Sequence, residues 1–148
     1  MKTLDLPRRT AIAALALSFA LPALAQQSRP TPSGPQSKPV TASEAYSRIR
    51  AGQTFFIDTR EEVEKSAGVP DGVNAEIVYR MSGAEDQKFI ADVLRAAGGK
   101  HDADITLICT SGIRSAAAQK TLEDAGFTNA HIITGGFQAW LAANLPRK

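Results

Sequence analysis

From about Val40 onward, short apolar runs alternate with amphipathic stretches. Thr54 to Asp58 (TFFID) is a brief run of β-forming residues closed by an acid, and Asp104 to Cys109 (DITLIC) is the clearest run of this kind. Both have the length and residue types of buried strands. His131 to Thr134 predicts another strand, and Ala75 to Tyr79 a weaker one.

Helical spacing fills the intervals. Thr41 and Glu44 have the form of a capping box at the start of a short helix that runs to about Ala51 and stops at Gly52. Arg60 to Ser66 reads as a short helical turn, and Gly68 to Gly72 as loop. Phe89, Val93, Leu94 and Ala97 recur at helical spacing between Glu85 and the Gly98-Gly99 stop. Arg114 to Ala125 predicts a helix ended by Gly126, and Phe137 to Ala143 a last one. Short apolar strands alternating with helices imply an α/β fold, a central parallel sheet covered on both faces. Phe55, Phe56 and Trp140 are expected in its core, and Glu61, Glu62 and Glu64 on a solvated helical face.

The first 39 residues follow a different pattern. Lys2, Arg8 and Arg9 precede an Ala- and Leu-rich run from Ala11 to Leu21, then Pro22 and the small-residue triplet Ala23-Leu24-Ala25. That is the order of a secretory signal peptide over residues 1–25, and the apolar run falls short of the roughly 20 residues that cross a bilayer. Export to the periplasm or the medium is therefore expected, with the Arg8-Arg9 pair leaving the twin-arginine and the general secretory routes both open. Residues 26–39 hold four prolines, three serines and one glycine, a composition expected of a disordered Pro/Ser-rich linker. The folded domain is expected over residues 40–148.

Charge changes the picture only by exclusion. Cleavage after Ala25 lowers the basic residues from 17 to 14 and the acidic ones from 15 to 14, so the mature chain is formally neutral. Nothing in that balance calls for a nucleic acid, or for a membrane once the signal is removed. His101 and His131 are too few and too distant from the cysteine to predict a metal site, and surface and sheet-edge roles are expected for them. No cofactor is implied.

The single cysteine, Cys109, excludes an internal disulfide and leaves two readings, a buried inert thiol or a reactive one. Its position favours the second. Parallel sheets bind ligands at the carboxyl ends of their strands, and Cys109 ends the clearest strand just before a turn and a helix. Such a turn, Thr110, Ser111, Gly112, Ile113 and Arg114, aims backbone N–H groups into one small bowl that favours anions, a thiolate included. Gly112 lets the backbone curl where a Cβ would obstruct it. Arg114 is a base at the positive end of a helix, an unfavourable place that asks for an anionic partner.

The set Cys109, Ser111, Gly112, Arg114 and Ser115 resembles the active-site loop of the rhodanese family of sulfurtransferases. The resemblance extends to Ile57-Asp58-Thr59-Arg60-Glu61, to Ala117 through Gly126-Phe127, and to Gly135-Gly136-Phe137 with Trp140, spanning about Val40 to Pro146. It implies a single rhodanese-like three-layer domain in which Cys109 takes the outer sulfur of a donor such as thiosulfate as a persulfide. That sulfur then passes to cyanide or to a thiol, a protein acceptor among the possibilities. Arg114 would contact an anionic donor or fix the loop through Asp58, and Asp58 and Arg60 would organise the loop. Thr110 stands where the family often carries a base, which counts against thiosulfate, and Gly68 to Gly72 matches the family pattern only loosely. Two other readings share the scaffold: a sulfur-carrier or binding module with little small-molecule turnover, and a phosphatase or arsenate reductase. Four residues separate Cys109 from Arg114, a tighter spacing than phosphatase loops use, and this counts against the last.

Overall fold

The computed structural model describes residues 37–148. The segment expected to be a signal peptide and most of the expected linker lie outside the described residues. Five strands form one all-parallel sheet: β1 (Pro39–Val40), β2 (Phe55–Asp58), β3 (Ala75–Glu76), β4 (Ile105–Ile108) and β5 (Ala130–Ile133), in the order β1-β5-β4-β2-β3. The helices are α1 (Ala42–Arg50), α2 (Asp86–Ala96), α3 (Ile113–Asp124) and α4 (Gly136–Ala142), with a 3₁₀ turn at Glu62–Ala67. This is the parallel α/β architecture expected from the alternation of strands and helices.

Strand alternation divides the core into two layers. Ile57, Ile105, Leu107 and Ala130 face Phe89 and Val93 of α2 and Ala118 and Leu122 of α3. Phe56, Ile108 and Ile133 point the other way, toward Ala42 and Ala45 of α1 and Phe137 and Trp140 of α4. Both faces are covered, so β4 is buried at every position, which is why its sequence reads as a continuous apolar run. Trp140 is fully buried, stacks on Phe56 with centroids 5.6 Å apart, and donates its indole N–H to the Pro146 carbonyl at 2.9 Å. Phe55 is only half-buried, at the rim of the first layer.

Two features depart from the expected picture. The paired chain reaches back to Ser37: its hydroxyl accepts the Ala130 N–H at 3.1 Å, and the Lys38 carbonyl accepts the Ile132 N–H at 3.4 Å. Composition put residues 37–39 in the spacer, but Pro39 suits an edge strand, where its missing N–H is not needed by the ladder. That edge covers His131, which is buried rather than at the surface. Its Nδ1 accepts the Lys38 N–H at 3.2 Å, and its Nε2 lies 3.5 Å from Asp104. Thr41 caps α1 as expected, its hydroxyl accepting the Glu44 N–H at 3.1 Å, while the Glu44 carboxylate lies 3.7 Å from Lys38.

Because Trp140 joins α4 to β2 and to the C-terminal tail, Trp140→Ala should cost about 3 to 5 kcal/mol of stability, measured by urea denaturation followed by far-UV circular dichroism.

Candidate active site

β4 ends at Ile108, and Cys109 begins the turn into α3. The Cys109 side chain curls back under that turn, where its Sγ accepts the Gly112 N–H at 3.1 Å and the Ser115 N–H at 3.3 Å. The residue is only 1% exposed. Gly112, at φ 94°, is the N-cap of α3, a left-handed conformation that turns its N–H toward the sulfur and that other residues adopt at a cost. Donors from the first turn of α3 therefore converge on one atom, with the positive end of a 12-residue helix behind them.

The floor of the loop is backbone on backbone. The Phe137 and Gln138 N–H groups at the start of α4 donate to the Cys109 and Thr110 carbonyls at 2.7 and 3.1 Å. A Cβ on Gly136 would sit 2.4 Å from the Cys109 carbonyl oxygen, closer than real side chains come. Gly136 is thus a packing requirement of the cysteine loop, while a Cβ on Gly135 would meet Ala139 of α4 at 2.9 Å.

Arg114 does not meet Asp58. Its guanidinium forks onto Glu64, with Nη1 to Oε2 at 2.6 Å and Nη2 to Oε1 at 2.8 Å, and Nη1 reaches the Thr59 carbonyl at 3.5 Å. The Thr110 hydroxyl donates to the same Glu64 Oε1 at 2.7 Å, and the Glu61 N–H donates to Oε2 at 2.9 Å. Glu64, expected on a solvated face, is the hub of the loop. The hydrogen bonds from Arg114 are the largest reason its carboxyl is held down at about 2, with those from Glu61 and Thr110 adding to them against partial burial. The same pair raises Arg114 above its ordinary value. A run of three acids in four positions offered one signal, since Glu64 stands three residues after Glu61, where a carboxylate can reach back to the first N–H of a helical turn. Nothing in the sequence says that the other side of that carboxylate meets Arg114.

Asp58 and Arg60 form a separate, fully buried pair. The Arg60 Nε lies 3.0 and 3.1 Å from the two Asp58 oxygens and its Nη2 2.7 Å from one of them. The guanidinium also donates to the Glu64 carbonyl at 3.3 Å and the Gly68 carbonyl at 3.0 Å, and lies 4.0 Å above the Phe137 ring. Asp58 and Arg60 thus hold the backbone that carries Glu64, and Glu64 holds the loop. Ser111 and Ile113 point outward, Ile113 being 69% exposed, while the Ser115 hydroxyl is buried with no hydrogen-bond partner among the described residues. A polar cleft of about 520 Å³ lies at the opposite, amino end of the sheet, lined by Thr54, Asn74 and Asp104.

Residues 41–143 match the family model of the rhodanese-like domain. The chain belongs to that family. Thiosulfate sulfurtransferase 16, chloroplastic, of Arabidopsis thaliana is 34% identical over 112 residues, covering 74% of this chain and 91% of its own. Among solved structures, the polysulfide-sulfur transferase homodimer of Wolinella succinogenes superposes with a TM-score of 0.60 at 24% identity, covering 76% of this chain and 78% of that one. A protein of Rhodopseudomonas palustris described as a possible tyrosine phosphatase gives 0.62 at 24% identity, over 76% of this chain and 85% of its own. At that identity the two structures establish a shared fold. The rhodanese-like family includes sulfurtransferases, and the chain has sulfurtransferase relatives.

Two outcomes follow from the site's electrostatics. A carboxyl whose folded value lies below its ordinary 4.5 stabilises the fold above that pH and loses the contribution as pH falls toward about 2. The stability difference between wild type and Glu64→Gln should therefore be constant above pH 4.5 and shrink steadily below it, as read by urea denaturation at a series of pH values. Asp58→Ala, which strands a buried guanidinium, should cost about 3 to 5 kcal/mol in the same assay.

Proposed function

We propose that this protein is a sulfurtransferase that carries sulfane sulfur on Cys109 as a persulfide. A donor such as thiosulfate supplies the sulfur, and cyanide or a thiol receives it. The observation that carries this reading is the pair of backbone N–H groups, from Gly112 and Ser115, on the Sγ of a cysteine that is 1% exposed. Donors fixed by the backbone stabilise a thiolate before transfer and the persulfide anion after it, with little reorganisation between the two states. The unpartnered Ser115 hydroxyl is a further donor within the same turn, available once a second sulfur occupies the bowl.

The reaction needs no metal or cofactor. The Cys109 thiolate attacks the outer sulfur of the donor, the donor's bond to that sulfur breaks, and the electron pair leaves with the remainder of the donor. A thiol or cyanide then attacks the same sulfur and regenerates the Cys109 thiolate. Asp58 and Arg60 act at a distance, by fixing the segment on which Glu64 stands. Phosphatase or arsenate-reductase chemistry is disfavoured because Arg114, the side chain that would clamp a tetrahedral oxyanion, is held in a two-point contact with Glu64. The charged, apolar and small-residue order of residues 1–25 places this activity, in our reading, outside the cytoplasm.

Incubation with thiosulfate or inorganic polysulfide should add one sulfur to the intact mass, removable by a reductant and absent in Cys109→Ser. Failure of both donors to load the wild type, or loading that survives in Cys109→Ser, would exclude the mechanism.

A further inference from the structure

We infer that the surface around the mouth of the cysteine loop is a docking face for a second protein, one that presents a basic and apolar surface carrying a cysteine thiol. Among the described residues, four large apolar side chains are exposed: Val63, Val78, Met81 and Ile113, at 85, 36, 61 and 69%. All four stand on segments that the Glu64 network ties together. Val63 precedes Glu64, whose carboxylate takes Arg114 and Thr110, and Ile113 precedes Arg114. Arg80, next to Met81, reaches Glu61 at 3.2 Å. The Thr59 carbonyl accepts both the Tyr79 N–H at 3.2 Å and Arg114 Nη1 at 3.5 Å, which brings the segment of Val78 alongside the same arginine. Apolar side chains scattered singly over a surface need no explanation, but these gather at the end of the sheet where Cys109 lies, as at a protein interface.

The face is acidic as well as apolar. Lys65 is shared by Glu62 and Glu76, Arg80 by Glu61 and Glu85, while Arg114 is taken by Glu64. Five acids thus share three bases, which leaves two negative charges uncompensated. The surplus is turned outward, since the Lys65 side chain is 8% exposed and that of Glu62 89%. Beside Val78 a groove of about 320 Å³ opens between β3 and α2, with Ile77 and Phe89 for apolar lining and Glu76, Glu85 and Asp92 for acids. Its two bases, Arg80 and Lys88, are already paired with Glu85 and Asp92. Such a groove suits a lysine or arginine of the partner, the stem packing on the apolar lining and the head staying among the carboxylates.

These charges select among occupants. An anionic membrane or a nucleic acid would meet like charge here, and a second copy of this chain would set one acidic face against another. A basic protein surface instead gains attraction at the charges and burial at the apolar side chains. The docking face stands on these observations; the exchange of sulfur across it rests on the sulfurtransferase reading. In that exchange the partner's thiolate attacks the outer sulfur of the Cys109 persulfide, the S–S bond breaks, and its electron pair returns to the Cys109 Sγ. The partner leaves as the persulfide, and no oxidant or reductant is consumed.

The test uses a short fluorescent peptide of lysine and leucine around a central serine, a counterpart with glutamate for every lysine, and another with serine for every leucine. Fluorescence anisotropy should show the lysine and leucine form binding wild type at least about tenfold tighter than either counterpart at low salt, with the advantage over the glutamate form shrinking as salt is added. Val63→Ser and Met81→Ser should each weaken that binding several-fold while leaving sulfur transfer to cyanide unchanged, and Glu62→Lys should reduce the preference for lysine over glutamate. With cysteine in place of the central serine, the lysine and leucine peptide should take sulfur from persulfide-loaded protein faster than its glutamate counterpart. Equal binding of the three peptides, undiminished binding by folded Val63→Ser and Met81→Ser, or self-association of wild type that Met81→Ser abolishes would overturn the inference. Transfer to neither cyanide nor peptide, with the binding pattern as expected, would overturn the sulfurtransferase reading and leave the docking face standing.

Discussion

A fully buried arginine is the constraint from which the site is built. Arg60 cannot be left with unmet donors inside the fold, and it meets them by gathering Asp58 at the end of β2, the carbonyls of Glu64 and Gly68, and the face of Phe137. Those contacts join three pieces that are far apart in the chain: a strand end, the 3₁₀ turn and the start of α4. The 3₁₀ turn carries Glu64 against Arg114 and Thr110, and the first turn of α4 donates to the carbonyls of Cys109 and Thr110. The cysteine loop is thus held from the side by a carboxylate and from below by backbone donors, and both holds trace back to one guanidinium.

This arrangement separates the tasks of charge and of shape. The sulfur is served by backbone N–H groups, which are dipoles of fixed direction and cannot be titrated away, while the charged side chains around it neutralise one another. The first follows from the turn at Gly112 in a rhodanese-like domain, a family that includes sulfurtransferases. The second lies in the particular residues at 64, 110 and 114. Fold and chemistry are in this sense set by different atoms of one loop.

Much of the site was legible along the chain because it is local. Cys109, Gly112 and Ser115 lie within seven residues, and the apolar run, the glycine and the following helix together require the turn that brings their groups onto the sulfur. The pairing of Asp58 with Arg60 is also local, two residues apart at one strand end, yet the partner expected for Asp58 was Arg114. Arg114 was legible as a residue in want of an anion, since a base at the start of a helix is unfavourable there. Its partner was not. Glu64 is 50 positions away and sits among other acids with the same spacing and composition, and only one of them faces the loop.

The sequence by itself determined the parallel α/β architecture, the position of the cysteine at a strand's carboxyl end, and the cradle of backbone donors around it, because each follows from residue periodicity and from turn chemistry over a few positions. The tertiary structure decided which carboxylate holds Arg114, that His131 is covered by β1 and bridged to Asp104, and that Gly136 must lack a side chain to let α4 approach Cys109. The physical reason is common to all three. Each is a contact between segments brought together by the order of strands in the sheet, and a linear pattern of apolar and polar positions says that a surface is buried without saying what is buried against it.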